Sequence, residues 1–147
     1  MRVRKTIAVM LLLPLPAMAQ SAAPAWIIDP SSGCRVANPN PQANESVTWS
    51  GECQYGYAEG RGVLQWFENG QPADRYDGEM HNGNMDGHGI FSTAEGGRYE
   101  GAFHAGQANG YGRWTGPGSS FHGIWTNGCF KDGNQRAYVG ANPESCR

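Results

Sequence analysis

Apolar and polar residues alternate with a period of two through the middle of the chain. Tyr76, Gly78 and Met80 share one parity, as do Tyr99, Gly101 and Phe103, and again Phe121, Gly123 and Trp125. Such alternation predicts half-buried β-strands, because successive side chains of a strand point to opposite faces. The return segments Gly87-His88-Gly89-Ile90-Phe91 and Gly110-Tyr111-Gly112-Arg113-Trp114 alternate likewise. Turn residues lie between outgoing and return segments (His81-Asn82-Gly83-Asn84 and Ala105-Gly106-Gln107). Glu95-Gly96-Gly97 and Gly116-Pro117-Gly118 link one pair to the next. Asn82-Gly83 and Asn127-Gly128 are strong hairpin signals. Each unit is therefore predicted to be one β-hairpin, and the hairpins to stack into a continuous antiparallel sheet.

The units repeat. Tyr76-Asp77-Gly78 is followed by Gly83, Gly87 and Gly89, and Tyr99-Glu100-Gly101 by Gly106, Gly110 and Gly112 at the same spacings. Trp49-Ser50-Gly51 opens an earlier copy with Gly56, Gly60 and Gly62, and Phe121-His122-Gly123 begins a partial one that stops at Gly128. The copies start 27, 23 and 22 residues apart. An aromatic, then a glycine two residues on, with further glycines at fixed offsets and a period near 23, resembles the MORN repeat family. The resemblance covers Trp49 to Gly128. The first copy departs from it with Trp49 as the aromatic and Cys53 where the others have Met80, Phe103 and Trp125.

Composition then acquires a positional cause. Fourteen of the 22 glycines are repeat glycines, at a density that excludes an all-α chain, since each interior glycine costs a helix ~1 kcal/mol. An interior strand glycine often marks a place where something packs closely on the backbone. The rings of Tyr76, Tyr99, Phe121, Phe91, Trp114 and Trp66 are expected to lie flat over neighbouring glycines and to stand in for a second layer. The opposite face, with Glu52, Arg61, Asp77, Glu79, His88, Glu100, Arg113 and His122, is expected to be solvated.

Residues 1–19 read as a secretory signal peptide: Arg2, Arg4 and Lys5, an apolar run from Thr6 to Leu15, then Ala17-Met18-Ala19 before Gln20. The run is too short for a spanning helix, which needs ~20 apolar residues. Without this segment 8 basic and 13 acidic side chains remain, net −5, with Lys131 the single lysine. That charge disfavours nucleic acid and an anionic lipid surface. All four cysteines fall in the remaining part, an even number in an oxidising compartment. Of three possible pairings, Cys34–Cys53 and Cys129–Cys146 are expected, because each brackets the repeats rather than crossing them. No zinc-ligand spacing is present.

The flanks are expected to close the ends of the stack. Cys34 to Asn38 can run antiparallel to Trp49–Cys53, with Pro39 to Glu45 as the loop. At the other end Asp132-Gly133 turns and Gln135 to Val139 forms a last strand. The division is then 1–19 signal peptide; 20–48 N-terminal extension and capping strand; 49–130 repeats (49–75, 76–98, 99–120 and partial 121–130); and 131–147 C-terminal capping segment. The fold is all-β, an elongated single-layer antiparallel sheet of stacked hairpins with disulfide-tied flanks.

Candidate chemistry is sparse. His81, His88, His104 and His122 suggest a metal, but His81 and His104 are repeat-equivalent and two strand spacings, ~9–10 Å, apart, and turn positions account for them. Asp77, Glu79 and Glu100 suggest a carboxylate pair, yet repeats generate repeated acids without chemistry. A G-x-S-x-G elbow and a complete phosphate-binding glycine loop are both missing. No catalytic residue, metal or cofactor is expected. The best binding candidate is the aromatic face: Trp66, Tyr76, Phe91, Tyr99, Phe103, Trp114 and Trp125, in which Trp66, Trp114 and Trp125 could form a platform. The resemblance implies a non-catalytic scaffold that holds partners or sits near membranes. The expected function is an exported protein-interaction module, periplasmic or secreted, with carbohydrate or cell-wall binding as the alternative and membrane-lipid association or a small hydrolase behind it.

Overall fold

The computed structural model describes residues 25–147; the signal-peptide expectation for residues 1–19 lies outside them. The described chain is nearly all β. Its strands are β1 (Trp26–Ile28), β2 (Arg35–Ala37), β3 (Glu45–Trp49), β4 (Glu52–Gln54), β5 (Tyr57–Glu68), β6 (Gln71–His81), β7 (Asn84–Ser92), β8 (Arg98–His104), β9 (Gln107–Gly116), β10 (Ser119–Trp125), β11 (Cys129–Asp132) and β12 (Gln135–Tyr138), before a short 3-10 turn at Pro143–Cys146. A 10-stranded sheet runs in the order β1-β2-β5-β6-β7-β8-β9-β10, with β3 and β4 both paired to β5 and β11 and β12 forming a separate ribbon.

Register explains the glycines. Gly62 faces Gly78, which faces Gly89, then Gly101, Gly112 and Gly123, so one glycine row crosses five hairpin-related strand pairs. The next row carries Leu64, Tyr76, Phe91, Tyr99, Trp114 and Phe121 in the same order. The rings of Trp49, Tyr76 and Tyr99 each fold along their own strand over the glycine two residues on and the glycine opposite it. A Cβ at Gly78 would stand 2.5 Å from the Tyr76 hydroxyl, and one at Gly62 would stand 2.6 Å from the Trp49 ring. The polar tip of the ring then donates to the carbonyl three residues on: Tyr76 Oη to Glu79 O at 2.8 Å, Tyr99 Oη to Ala102 O at 3.0 Å, and Trp49 Nε1 to Glu52 O at 2.8 Å. Tryptophan replaces tyrosine in the first copy because its indole N–H makes the same bond.

Glycine is also required at Gly87 and Gly110. Each sits at a register shift opposite Gly78–Met80 or Gly101–Phe103, with φ of 104° and 110°. Three residues of the return strand there face one of the outgoing strand, a bulge of two extra residues that keeps the alternation of faces in phase. A Cβ at either glycine would press on Glu79 or Ala102. The core therefore lies on one face. Tyr76, Phe103, Tyr99, Trp125 and Phe130 form a column of rings with successive centroids 5.0–5.3 Å apart.

The ring assignments differ in part from expectation. Trp114 covers Gly97 and Gly116, at the hairpin links. Phe121, with no polar tip, packs on Phe130 at 5.5 Å. Trp66 and Phe91 cover no glycine and meet each other edge-on at 6.2 Å.

Both expected disulfides are present, with Cα–Cα distances of 5.6 Å for Cys34–Cys53 and 5.4 Å for Cys129–Cys146. The N-terminal cap is arranged otherwise than expected. Cys34 to Asn38 does not pair with Trp49–Cys53; β2 is antiparallel to β1 and touches β5 in parallel through Arg35 and Tyr57. Its backbone donors are taken elsewhere, Arg35 N by Gly56 O at 2.9 Å and Ala37 N by Gly83 O at 2.8 Å, so the segment crosses over the turns of the first repeats. Asp29 fixes the cap. Its buried carboxylate accepts from Ser31 N at 2.9 Å, Ser31 Oγ at 2.7 Å, Ser32 Oγ at 2.7 Å and Trp49 N at 3.1 Å. Burial pushes its pKa up, but these hydrogen bonds, led by Ser32, outweigh that and hold it at about 2. At the other end β11 leaves the large sheet to pair with β12, and Phe130 closes over Gly123 and Trp125.

Candidate functional site

Between the ring face and the N-terminal cap lies an open cleft of about 470 Å³. Its floor is Leu64 and Trp66 from β5, Met80 from β6, and Met85 and Phe91 from β7. Alternation places all five on the inner face, and the bulge at Gly87 keeps Met85 and Phe91 there together. The wall is the segment from Val36 to Gln42, which crosses over that face after β2, while Gly106, Gln107 and Gly140 close the far side. The wall is anchored: Ala37 N donates to Gly83 O at 2.8 Å, and Asn38 Nδ2 donates to Glu45 Oε2 at 2.6 Å.

The rim is acidic. Glu45, Glu68, Asp74 and Glu95 line the cleft, and among the described residues no lysine, arginine or histidine does. Asp74 is half-buried and accepts from Ala94 N at 3.0 Å. Burial, and then repulsion from Glu95 and Glu45, push its carboxyl above the ordinary range against that hydrogen bond.

Of the residues singled out on the aromatic face, Trp66 and Phe91 come together in this cleft, half-buried with their edges reachable. Tyr76, Tyr99, Phe103 and Trp125 are buried. Trp125 is held by its Nε1 donating to Gly112 O at 3.3 Å. Burial raises the Tyr76 and Tyr99 hydroxyls, the latter to about 12. Trp114 is half-buried on β9, four strands and thus ~19 Å from Trp66 on β5. The three tryptophans do not share one platform. The acidic rim and the cap wall escaped the sequence reading, because their residues come from five separate stretches that only the fold brings together.

The histidines have a structural place. His81 Nδ1 lies 2.9 Å from Glu59 Oε1 and His104 Nδ1 lies 3.1 Å from Asp86 Oδ2. The same carboxylates accept from the turn backbone: Asn82 N to Glu59 at 2.9 Å and Ala105 N to Asp86 at 3.2 Å. Asn109 does this for Asn127 N at 3.0 Å. The hydrogen bonds from Asn82 N and His81 lower Glu59, and Glu59 raises His81. Among the described residues no group of three or more His, Cys, Asp or Glu is placed to hold a metal ion. Asp77, Glu79 and Glu100 lie exposed on the opposite face, where Arg98 pairs with Glu100 at 2.7 Å along its own strand. No helix among the described residues is long and apolar enough to cross a membrane.

Residues 76–98 and 99–120 match the family model of the MORN repeat. No curated protein matches the chain. Repeats of this family are commonly parts of modules for protein or membrane interaction and are typically non-catalytic.

Proposed function

From the premise that this is a MORN-repeat protein, we propose that it is an exported, non-catalytic module that binds another protein through the cleft under its N-terminal cap. The observation that carries this reading is the cleft itself. Its apolar floor, with Trp66 and Phe91 accessible, is pre-formed between a stacked sheet and a disulfide-tied wall. A rigid concavity with aromatic anchors binds without a large ordering cost. Export, to the periplasm or beyond the cell, is supported by the basic-apolar-small pattern of residues 1–19 and by two disulfides, which persist in oxidising compartments.

A second reading, carbohydrate or cell-wall binding, is favoured by one observation: amide side chains of Asn38, Gln42, Asn84 and Gln107 line the same cleft as Trp66. In-cell cross-linking from the cleft separates the two. A photo-reactive residue at Gln42 is expected to capture a defined protein, and that capture should disappear with Trp66→Ala. A fluorescence shift with cell-wall fragments that Trp66→Ala abolishes, with no protein captured, would replace the first reading by the second.

A further inference from the structure

The cleft also specifies the chemistry of its occupant. We infer that it receives an extended segment of the partner protein that carries a lysine or arginine flanked by apolar residues. The inference rests on the protein-binding reading above and narrows it.

Its volume of about 470 Å³ falls within the ~300–1,000 Å³ typical of binding sites, enough for a few side chains. The floor and the rim ask for different things. Trp66, Phe91 and Met85 offer apolar area and ring edges and faces, which suit aliphatic side chains and the stem of a long cationic one. Glu68, Asp74 and Glu95 add negative charge, and among the described residues no cationic side chain lines the cleft. Two arginines of the neighbouring strands are paired away from the cleft. Arg75 faces Asp77 at 4.0 Å on the outer side of β6, and Arg98 pairs with Glu100. Carboxylates gathered beside low-dielectric walls are costly to keep charged: burial first, then repulsion from Glu95 and Glu45, raises Asp74. A guanidinium or ammonium seated there relieves that repulsion and can lie over the Trp66 ring, a cation–π arrangement strengthened by exclusion of water. An acidic or phosphorylated segment meets the opposite: it would add charge of the same sign to a chain that is already net acidic.

The test is a titration of the full chain with three fluorescent decapeptides of equal length, one alternating Arg and Leu, one Glu and Leu, and one Ser and Leu. The Arg/Leu peptide is expected to bind at least about tenfold more tightly than the other two, with the gap closing as salt rises beyond physiological strength. Trp66→Ala should weaken its binding about tenfold or more. Should that variant unfold, Glu68→Lys/Glu95→Lys changes only exposed side chains and should abolish the preference for the basic peptide. Equal binding of the three peptides, or a preference that survives Glu68→Lys/Glu95→Lys, overturns the inference. If the partner captured from Gln42 is not displaced by the Arg/Leu peptide, the binding function stands and the cationic segment falls. If there is no Trp66-dependent capture at all, the function itself falls.

Discussion

Replacing Gly89 by alanine tests the packing of ring on backbone directly. The added Cβ would stand 2.5 Å from Cζ of Tyr76, whereas carbon atoms in good contact are ~3.5–4.0 Å apart. The ring would have to withdraw by roughly 1 Å, but Phe103 sits edge-on behind it with centroids 5.2 Å apart. Overpacking of this kind costs ~1–3 kcal/mol, and loss of the Tyr76 Oη hydrogen bond to Glu79 O adds ~1 kcal/mol. A total of about 2–4 kcal/mol is expected. Gly89 has no left-handed φ, so the backbone itself accepts alanine. With the ring removed by Tyr76→Ala, the same substitution should be neutral, or stabilising by ~0.4–1 kcal/mol through the unfolded chain. The assay is a double-mutant cycle by equilibrium urea unfolding, with the same stabilising osmolyte added to all four proteins. If Gly89→Ala costs the same in both backgrounds to within ~0.5 kcal/mol, the glycine row has some other cause.

Other predictions follow from the caps and turns. Asp29→Ala leaves the buried Trp49 N–H without its acceptor and should cost about 2–4 kcal/mol by thermal or urea unfolding; a cost below 0.5 kcal/mol, on the order of a surface change, would contradict this role. Because the folded carboxyl of Asp29 sits at about 2 against a usual 3.8, its contribution is present above the unfolded value and is lost as pH falls through about 2. Asp29→Asn should therefore flatten the acid limb of the stability profile measured by circular dichroism. Cys129→Ser/Cys146→Ser opens a link between residues 17 apart and should cost ~3 kcal/mol, with hydrogen exchange rising in residues 129–147 and little changed in β6 and β7. Asn109→Ala removes the acceptor for Asn127 N and should cost ~0.5–1.5 kcal/mol, seen as faster exchange at that turn.

The hairpins were legible because three rules act together within 23 residues: alternation, the Asn-Gly turn, and a glycine two places after each ring. They are local, and they survive in the fold. The flanks obey no such periodicity. Trp26–Ile28 is too short to announce a strand, and Cys34–Asn38 finds its partners in β1 and in Gly56 and Gly83, which no local pattern signals. The cystine partners were legible because each pair brackets the repeats, while the strand order between them was not. Site residues divided by the same logic. Tyr76, Tyr99, Phe103 and Trp125 share a face with Trp66 and Phe91, but alternation cannot tell a ring that lies on a glycine from one left at a cleft edge. That distinction depends on what arrives from Val36 to Gln42.

The side chains of Glu59, Asp86 and Asn109 all reach forward, each holding the backbone of a turn that comes later in the chain. The stack consequently has a direction of assembly. Each later turn meets an acceptor already in place when it appears. A chain delivered from its N-terminus would present each of these acceptors before the turn it holds. Chains cut after residue 120, which keep Phe103 and β8, should retain their β6–β7 exchange protection, while chains missing residues before 76 should lose it.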